Sequence, residues 1–319
     1  MAKIKLKKRR DTKGILFVPL LFFILFPYII SGFSKVEKQT IKVEEKPGQI
    51  WVFEEKFWGG RKIALEEYLV GMVASTIPAE YHLETLKAQA IILRSFCMSY
   101  LEKEEGEKII YDKWIKEYYL PKQNFQNLWE EKTEENYKKI KKAVAETKGV
   151  VMVCDGDIVK PPFCRISNGQ TRDVREYVVH KEKYNYLKTV ECKEDEAAEE
   201  FVQYVEISQE EFADNIRTYF NFNEKKFNKI VLYRDALDYV KEVEVGAKRI
   251  DGEEFRKALG LISSCYFLEI VNENIEIKTK GMGHGYGFSQ FGANQMALKG
   301  EDYQSLLSHF YANITLEKI

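Results

Sequence analysis

Cysteine is scarce in this sequence of 319 residues, and what there is falls in no framework pattern. Cys97, Cys154, Cys164, Cys192 and Cys265 are odd in number, and no two stand as C-x-x-C. At most two bridges can form, so a small disulfide-built scaffold is excluded. Cys97 and Cys265 sit in apolar runs and read as small buried hydrophobes. A G-x-G-x-x-G fingerprint is missing, which removes a dinucleotide site. There is no regular βα alternation and no internal repeat, so α+β is the expected class. An excess of positive charge is missing too: beyond the first fourteen residues the chain carries 42 basic against 49 acidic side chains. That balance argues against nucleic acid, whose phosphates need clustered Lys and Arg. It also means that an anionic polymer must be held by shape and hydrogen bonds rather than bulk attraction.

The one long uncharged run is Gly14–Phe33, twenty residues. As a helix it spans roughly 30 Å, the thickness of a bilayer's hydrocarbon core. Lys3, Lys5, Lys7, Lys8, Arg9, Arg10 and Lys13 precede it against the single acid Asp11. This pattern predicts a cytoplasmic tail at 1–13, a single-pass transmembrane helix at 14–33, and the rest of the chain outside the cytoplasm. A cleaved signal peptide is the competing reading, but Ser31-Gly32-Phe33-Ser34 lacks an A-x-A site. Residues 34–48 read as a polar stalk, and 49–319 as the extracytoplasmic domain.

Within that domain Ile50 opens a strand-like run. Ala64–Ala74 has helical spacing at 65, 69, 72 and 73, with Pro78 as an interruption. Leu83–Tyr100 places Leu83, Leu86, Ala90, Leu93 and Cys97 on one helix face. Residues 102–148 form a charged stretch expected to be mostly helical, ending at Gly149. VVMVCDGDIV reads as a hairpin around Asp155-Gly156. Glu191–Glu200 is expected to be a surface excursion. KIVLYR and YVKEVEVG are strands, DGEEFRKALG is a short helix, and SCYFLEIVNENIEIKTK is a second hairpin.

Chemistry concentrates in Gly281–Ala297, GMGHGYGFSQFGANQMA. Glycine recurs at 281, 283, 285 and 287, around His284. Either the backbone needs positive φ there or a ligand lies against it. Ser289 is placed to cap the helix that follows. A tight structural turn with a structural histidine is the plainer alternative.

His284 to Ala293, HGYGFSQFGA, resembles the G-H-G-V-G-M-S-Q-Y-G-A signature of the stage II sporulation protein D family. LETLKAQAIILRS, Leu83 to Ser95, is similar to that family's L-E-A-L-K-A-Q-A-V-A-A-R-T helix. AVAETKGVVMVCDG resembles its next hairpin. SNGQT and YLKTV resemble its S-G-G-x-T and Y-L-x-S-V loops. The resemblance implies a peptidoglycan lytic transglycosylase of spore engulfment, cleaving between N-acetylmuramic acid and N-acetylglucosamine and leaving a 1,6-anhydro end. It implies peptidoglycan strands and other wall hydrolases as partners, and no obligatory cofactor. Such chemistry needs one carboxyl group, first as acid to the glycosidic oxygen and then as base to the C6 hydroxyl. Unlike ordinary glycosidases, it needs no second carboxylate.

The family writes V-A-G-E-M-P around that glutamate. Here Val73-Ala74-Ser75-Thr76-Ile77-Pro78 puts Thr76 at its position. A threonine hydroxyl has no accessible pKa near neutrality, so impaired or lost transglycosylase activity is expected. Glu80 is the fallback acid of a rival, active reading; a scaffold for wall hydrolases is a third. Glu84 corresponds to a second glutamate of the family and reads as structural, while Glu66 and Glu67 read as solvated. The implied substrate-binding set is Arg94, Ser167, Gly169, Thr171, Tyr186, Lys188, His284, Gly285, Gly287, Ser289 and Gln290. Some relatives bind zinc near this loop. Cys164 stands near the position of their histidine, while Cys154, Cys192 and His180 have no ligand spacing, so no metal is assigned.

Overall fold

The computed structural model describes residues 49–54, 60–104, 107–176, 181–222, 229–272 and 274–319, all within the unit Gly48–Ile319. The strand-like run at Ile50 forms β1 (Ile50–Glu54), followed by β2 (Arg61–Ala64), α1 (Leu65–Thr76) and α2 (Leu83–Met98). Then come β3 (Glu102–Glu104), β4 (Glu107–Tyr111), α3 (Phe125–Trp129), α4 (Thr133–Glu146), β5 (Val150–Cys154), β6 (Asp157–Ile158) and β7 (Phe163–Cys164). The next part contains β8 (Val202–Ser208), α5 (Gln209–Phe220), β9 (Ile230–Arg234), β10 (Val240–Val245), β11 (Lys248–Asp251) and α6 (Gly252–Ala258). The chain closes with β12 (Cys265–Val271), β13 (Asn274–Lys280), β14 (Phe288–Ser289), α7 (Gln290–Leu298), α8 (Tyr303–Phe310) and β15 (Thr315–Lys318).

The strands form separate small sheets, ordered β2-β1-β4-β3, β15-β5-β6, β12-β13-β8 and β11-β10-β9, with β14 beside β7. This is a mixed α+β fold. Helix α2 organises it, because it is apolar on two faces and therefore buried on both. Leu86, Ala90, Leu93 and Cys97 enter one core with α1, β1 and α4. Ala88, Ile91 and Ile92 enter a second with β5, α7 and α8. A third core joins α5 and α6 to β10 and β13.

Several expectations are corrected. The start of the charged stretch 102–148 is not helical: β4 lies parallel to β1, pairing Val52 with Ile110. Its apolar pair Ile109-Ile110 is buried there, so sheet packing overrides the charged surroundings. Glu191–Glu200 is no simple surface excursion, since Asp195 within it is fully buried. No helix among the described residues is long and apolar enough to cross a membrane. The sixteen-residue α2 spans only about 24 Å against the roughly 30 Å required. Gly14–Phe33, where a spanning helix is expected, lies outside the described residues, as do the tail and the stalk. The transmembrane element is therefore dropped from the fold, and the membrane partner and single-pass location drawn from it are withdrawn.

Candidate functional site

The end of α1, the following helix α2 and the distant α7 meet at Thr76. Thr76 is the last residue of that helix, and its hydroxyl donates back to the Met72 carbonyl at 2.8 Å. Gln290, the first residue of α7, donates from Nε2 to the Thr76 carbonyl at 2.8 Å and to Gln89 Oε1 at 3.2 Å. Gln89 Nε2 in turn lies 3.5 Å from the Thr76 hydroxyl. Both glutamines are buried and Thr76 is half-buried. The C-terminus of a helix concentrates unpaired carbonyls and partial negative charge. An amide that donates to such a carbonyl is a favourable partner, so Gln290 suits this place, while Gln89 faces the Thr76 hydroxyl. Asn294, one turn further along α7, accepts from the His82 backbone at 2.7 Å and pins the turn after α1.

The start of α7 is fixed by a second polar knot. Ser289 caps the helix toward Gly292 and donates to both oxygens of Asp195, at 2.8 and 2.7 Å. Ser167 donates to the same carboxylate from its backbone at 2.8 Å and from its hydroxyl at 2.6 Å. Burial pushes the Asp195 carboxyl up to about 6, although the hydrogen bonds from Ser167 and Ser289 pull it down. Sequence reading missed Asp195: it stands in an acidic run, KEDEA, where nothing distinguishes the inward residue from its solvated neighbours. Gln89 was missed too: it lies within the helix Leu83–Tyr100 but outside the apolar face that the spacing marks.

This carboxyl carries a pH prediction. The folded protein binds its proton more tightly than the unfolded chain, with a pKa near 6 against 3.8. Its contribution to stability is complete below about pH 4 and is lost as pH rises through about 6; two pK units correspond to roughly 3 kcal/mol. Asp195→Asn keeps the shape and one acceptor but has no charge to bury. Urea midpoints measured from about pH 4 to 7 are expected to fall for wild type relative to the Asn variant. Parallel curves for the two proteins would show that Asp195 does not titrate in this range.

The alternate glycines serve the protein's own backbone. All four adopt positive φ. At Gly287 a Cβ would stand 2.0 Å from the Pro162 carbonyl oxygen, and at Gly285 it would stand 2.3 Å from the Tyr239 ring. The positive-φ reading therefore holds, and at Gly285 and Gly287 it is protein groups that approach the backbone closely. His284 accepts the Tyr286 N–H at Nδ1 over 3.0 Å, which leaves its proton on Nε2. Burial first, then the cations Arg256 and Arg172, lower its pKa to about 4, while Glu253 opposes them. At neutral pH it is an uncharged N–H donor. Arg172, another residue missed from sequence, pairs with Asp235 at 2.8 Å and donates to the His284 carbonyl at 3.2 Å. Its guanidinium lies 4.4 Å from the centroid of Tyr286 and 4.8 Å from that of Tyr239.

The remaining expected ligands are placed elsewhere. Arg94 is wholly buried and gives its fork to Glu66, Nε at 2.8 Å and Nη2 at 2.7 Å, with further bonds to the Val144 and Val150 carbonyls. Glu66 is thus an ion-pair partner rather than a solvated residue. Tyr186 is core, its hydroxyl donating to the Lys160 carbonyl at 2.9 Å. Thr171 is buried and exchanges hydrogen bonds with the Lys188 carbonyl and the Val190 N–H. Gly169, at φ +103°, accepts from the Cys192 backbone. Lys188 donates to the Ser308 carbonyl at 3.4 Å. Glu80 is exposed, and the bond to it is made to its backbone carbonyl, by Lys139. Glu84 accepts the Tyr303 N–H at the start of α8, a structural role. All five cysteines are free and buried. No group of three or more His, Cys, Asp or Glu able to hold a metal ion is present among the described residues, which do not include His180.

The family described as Stage II sporulation protein matches this chain over residues 54–154, from the end of β1 through β5. Stage II sporulation protein D of Bacillus amyloliquefaciens is 28% identical over 290 residues, covering 89% of this chain and 83% of its own length. The protein of the same description from Bacillus subtilis is 28% identical over 315 residues, covering 93% and 90%. An uncharacterized protein of Brachyspira hyodysenteriae is 23% identical over 259 residues, covering 80% and 67%. The chain is a distant homologue of stage II sporulation protein D.

Proposed function

We propose that this protein engages peptidoglycan as a divergent relative of stage II sporulation protein D whose transglycosylase acid has been replaced by Thr76. One observation carries the reading. Thr76, aligned by motif with the family's glutamate, sits where α1, the LETLKAQAIILRS helix and the SQFGA helix are tied together by Gln89 and Gln290. Residues of all three motif-like segments meet at that position, and it carries no ionisable acid. The hydroxyl is spent on the Met72 carbonyl and offers neither an acid nor a base near neutral pH. Glu80 takes no part in the hydrogen bonds of this junction, which speaks against it as a substitute. The protein then works by holding glycan strands, as a non-catalytic subunit or regulator beside active wall hydrolases.

Purified full chain mixed with isolated sacculi is expected to sediment with them and to leave no 1,6-anhydro ends detectable by mass spectrometry. Protein remaining in the supernatant would remove glycan binding from the proposal. Anhydro ends that disappear in Glu80→Gln would instead restore an active enzyme with a displaced acid.

A further inference from the structure

At the other end of α1 from Thr76 lies a cleft of about 440 Å³, within the size range of small-ligand sites. Its existence follows from Gly71. The backbone 119–120 crosses α1 there, with Leu120 N–H donating to the Gly71 carbonyl at 3.2 Å, and a Cβ at Gly71 would stand 2.5 Å from the Leu120 oxygen. The crossing segment is anchored further by Tyr119, stacked on the buried Tyr68 with ring centroids 3.9 Å apart. Between this segment and α4 a gap remains, floored by Val70, Leu120, Phe125 and Val144.

Charge around the gap is unbalanced. Lys122, Lys141 and Lys148 line it, and among the described residues none of the three is in an ion pair. Two of these ammonium groups lie over the same ring, Lys122 at 4.4 Å and Lys141 at 5.9 Å from the Tyr137 centroid. Of the two carboxylates lining the cleft, Glu66 is already held by the Arg94 fork and the Gly149 N–H. The other, Glu67, is exposed, so three lysines share the lining with one carboxylate that Arg94 does not hold. An anion with an apolar body complements a cleft whose rim carries an excess of lysine and whose wall is apolar.

We propose that this cleft binds a small amphipathic anion, a carboxylate or sulfonate on an aromatic or aliphatic body, its head on Lys122, Lys141 and Lys148 and its body against Phe125 and Val144. The site is separate from Thr76 and does not depend on the glycan reading.

The test uses the full chain with decanoate, its uncharged counterpart decanol, and the fluorescent sulfonate ANS as competitor. Decanoate is expected to saturate one site, displace ANS and bind about tenfold more tightly than decanol. Lys122→Ala and Lys141→Ala should each weaken decanoate about fivefold with decanol unchanged, and Lys141→Arg should retain binding. Ala145→Trp, at an exposed position on α4 lining the cleft, should block both ligands without altering the thermal melt. Equal affinity for decanol and decanoate, or wild-type binding in Lys141→Ala and Ala145→Trp, would overturn the proposal. So would a wild-type chain that binds neither decanoate nor ANS.

Discussion

Arg94→Ala is expected to destabilise the protein by about 3–5 kcal/mol, the usual cost of stripping one partner from a buried pair. Against a typical total of about 5–15 kcal/mol this is a large share. The guanidinium is 0% exposed and ties α2 to three other elements: Glu66 on α1, the Val144 carbonyl on α4 and the Val150 carbonyl on β5. Removal leaves a cavity, two carbonyls without this donor, and a carboxylate retaining only the Gly149 N–H. Arg94→Lys preserves the charge but not the planar fork, and should fall between alanine and wild type. Urea denaturation with linear extrapolation measures both. A variant that melts like wild type but releases sacculi would return Arg94 to the ligand role that its position in the motif implies.

Thr76→Glu is expected to create transglycosylase activity, raising the yield of anhydro-muramyl ends by about 10²–10⁴-fold over wild type, the range typical of one positioned acid–base group. The position favours a proton-carrying carboxyl. It is half-buried and closes α1 at its C-terminus, where helix carbonyls disfavour negative charge and so favour the protonated acid. Gln89 and Gln290 supply amide N–H groups that can hold the same carboxyl once it is ionised. A folded Thr76→Glu protein that binds sacculi yet releases no anhydro ends would show that more than the acid has been lost.

The helical spacing of Leu83–Tyr100, the turn at Asp155-Gly156 and the α+β class were legible because local periodicity and turn chemistry express them directly. The cap role of Ser289 was legible for the same reason, since it depends only on residues three positions ahead. Charge patterning misled at two places. Within 102–148 the acids and lysines suggested helix, but β4 is held by long-range pairing with β1, which no local pattern encodes. Within Glu191–Glu200 every acid looked solvated, yet Asp195 is turned inward by Ser167 and Ser289.

The sequence alone determined the periodic elements, the acidic balance, the alternate glycines and the absence of a carboxyl at position 76, since each is written in residue type and spacing. Only the tertiary structure decided that Arg94 is buried and tied to Glu66, that the glycines yield to Tyr239 and Pro162, and that Gln89 and Gln290 meet at Thr76. The reason is reach. Side-chain chemistry states what a group can bond to, but which partner it meets depends on contacts between segments as far apart as Thr76 and Gln290, set by the packing of cores on both faces of α2.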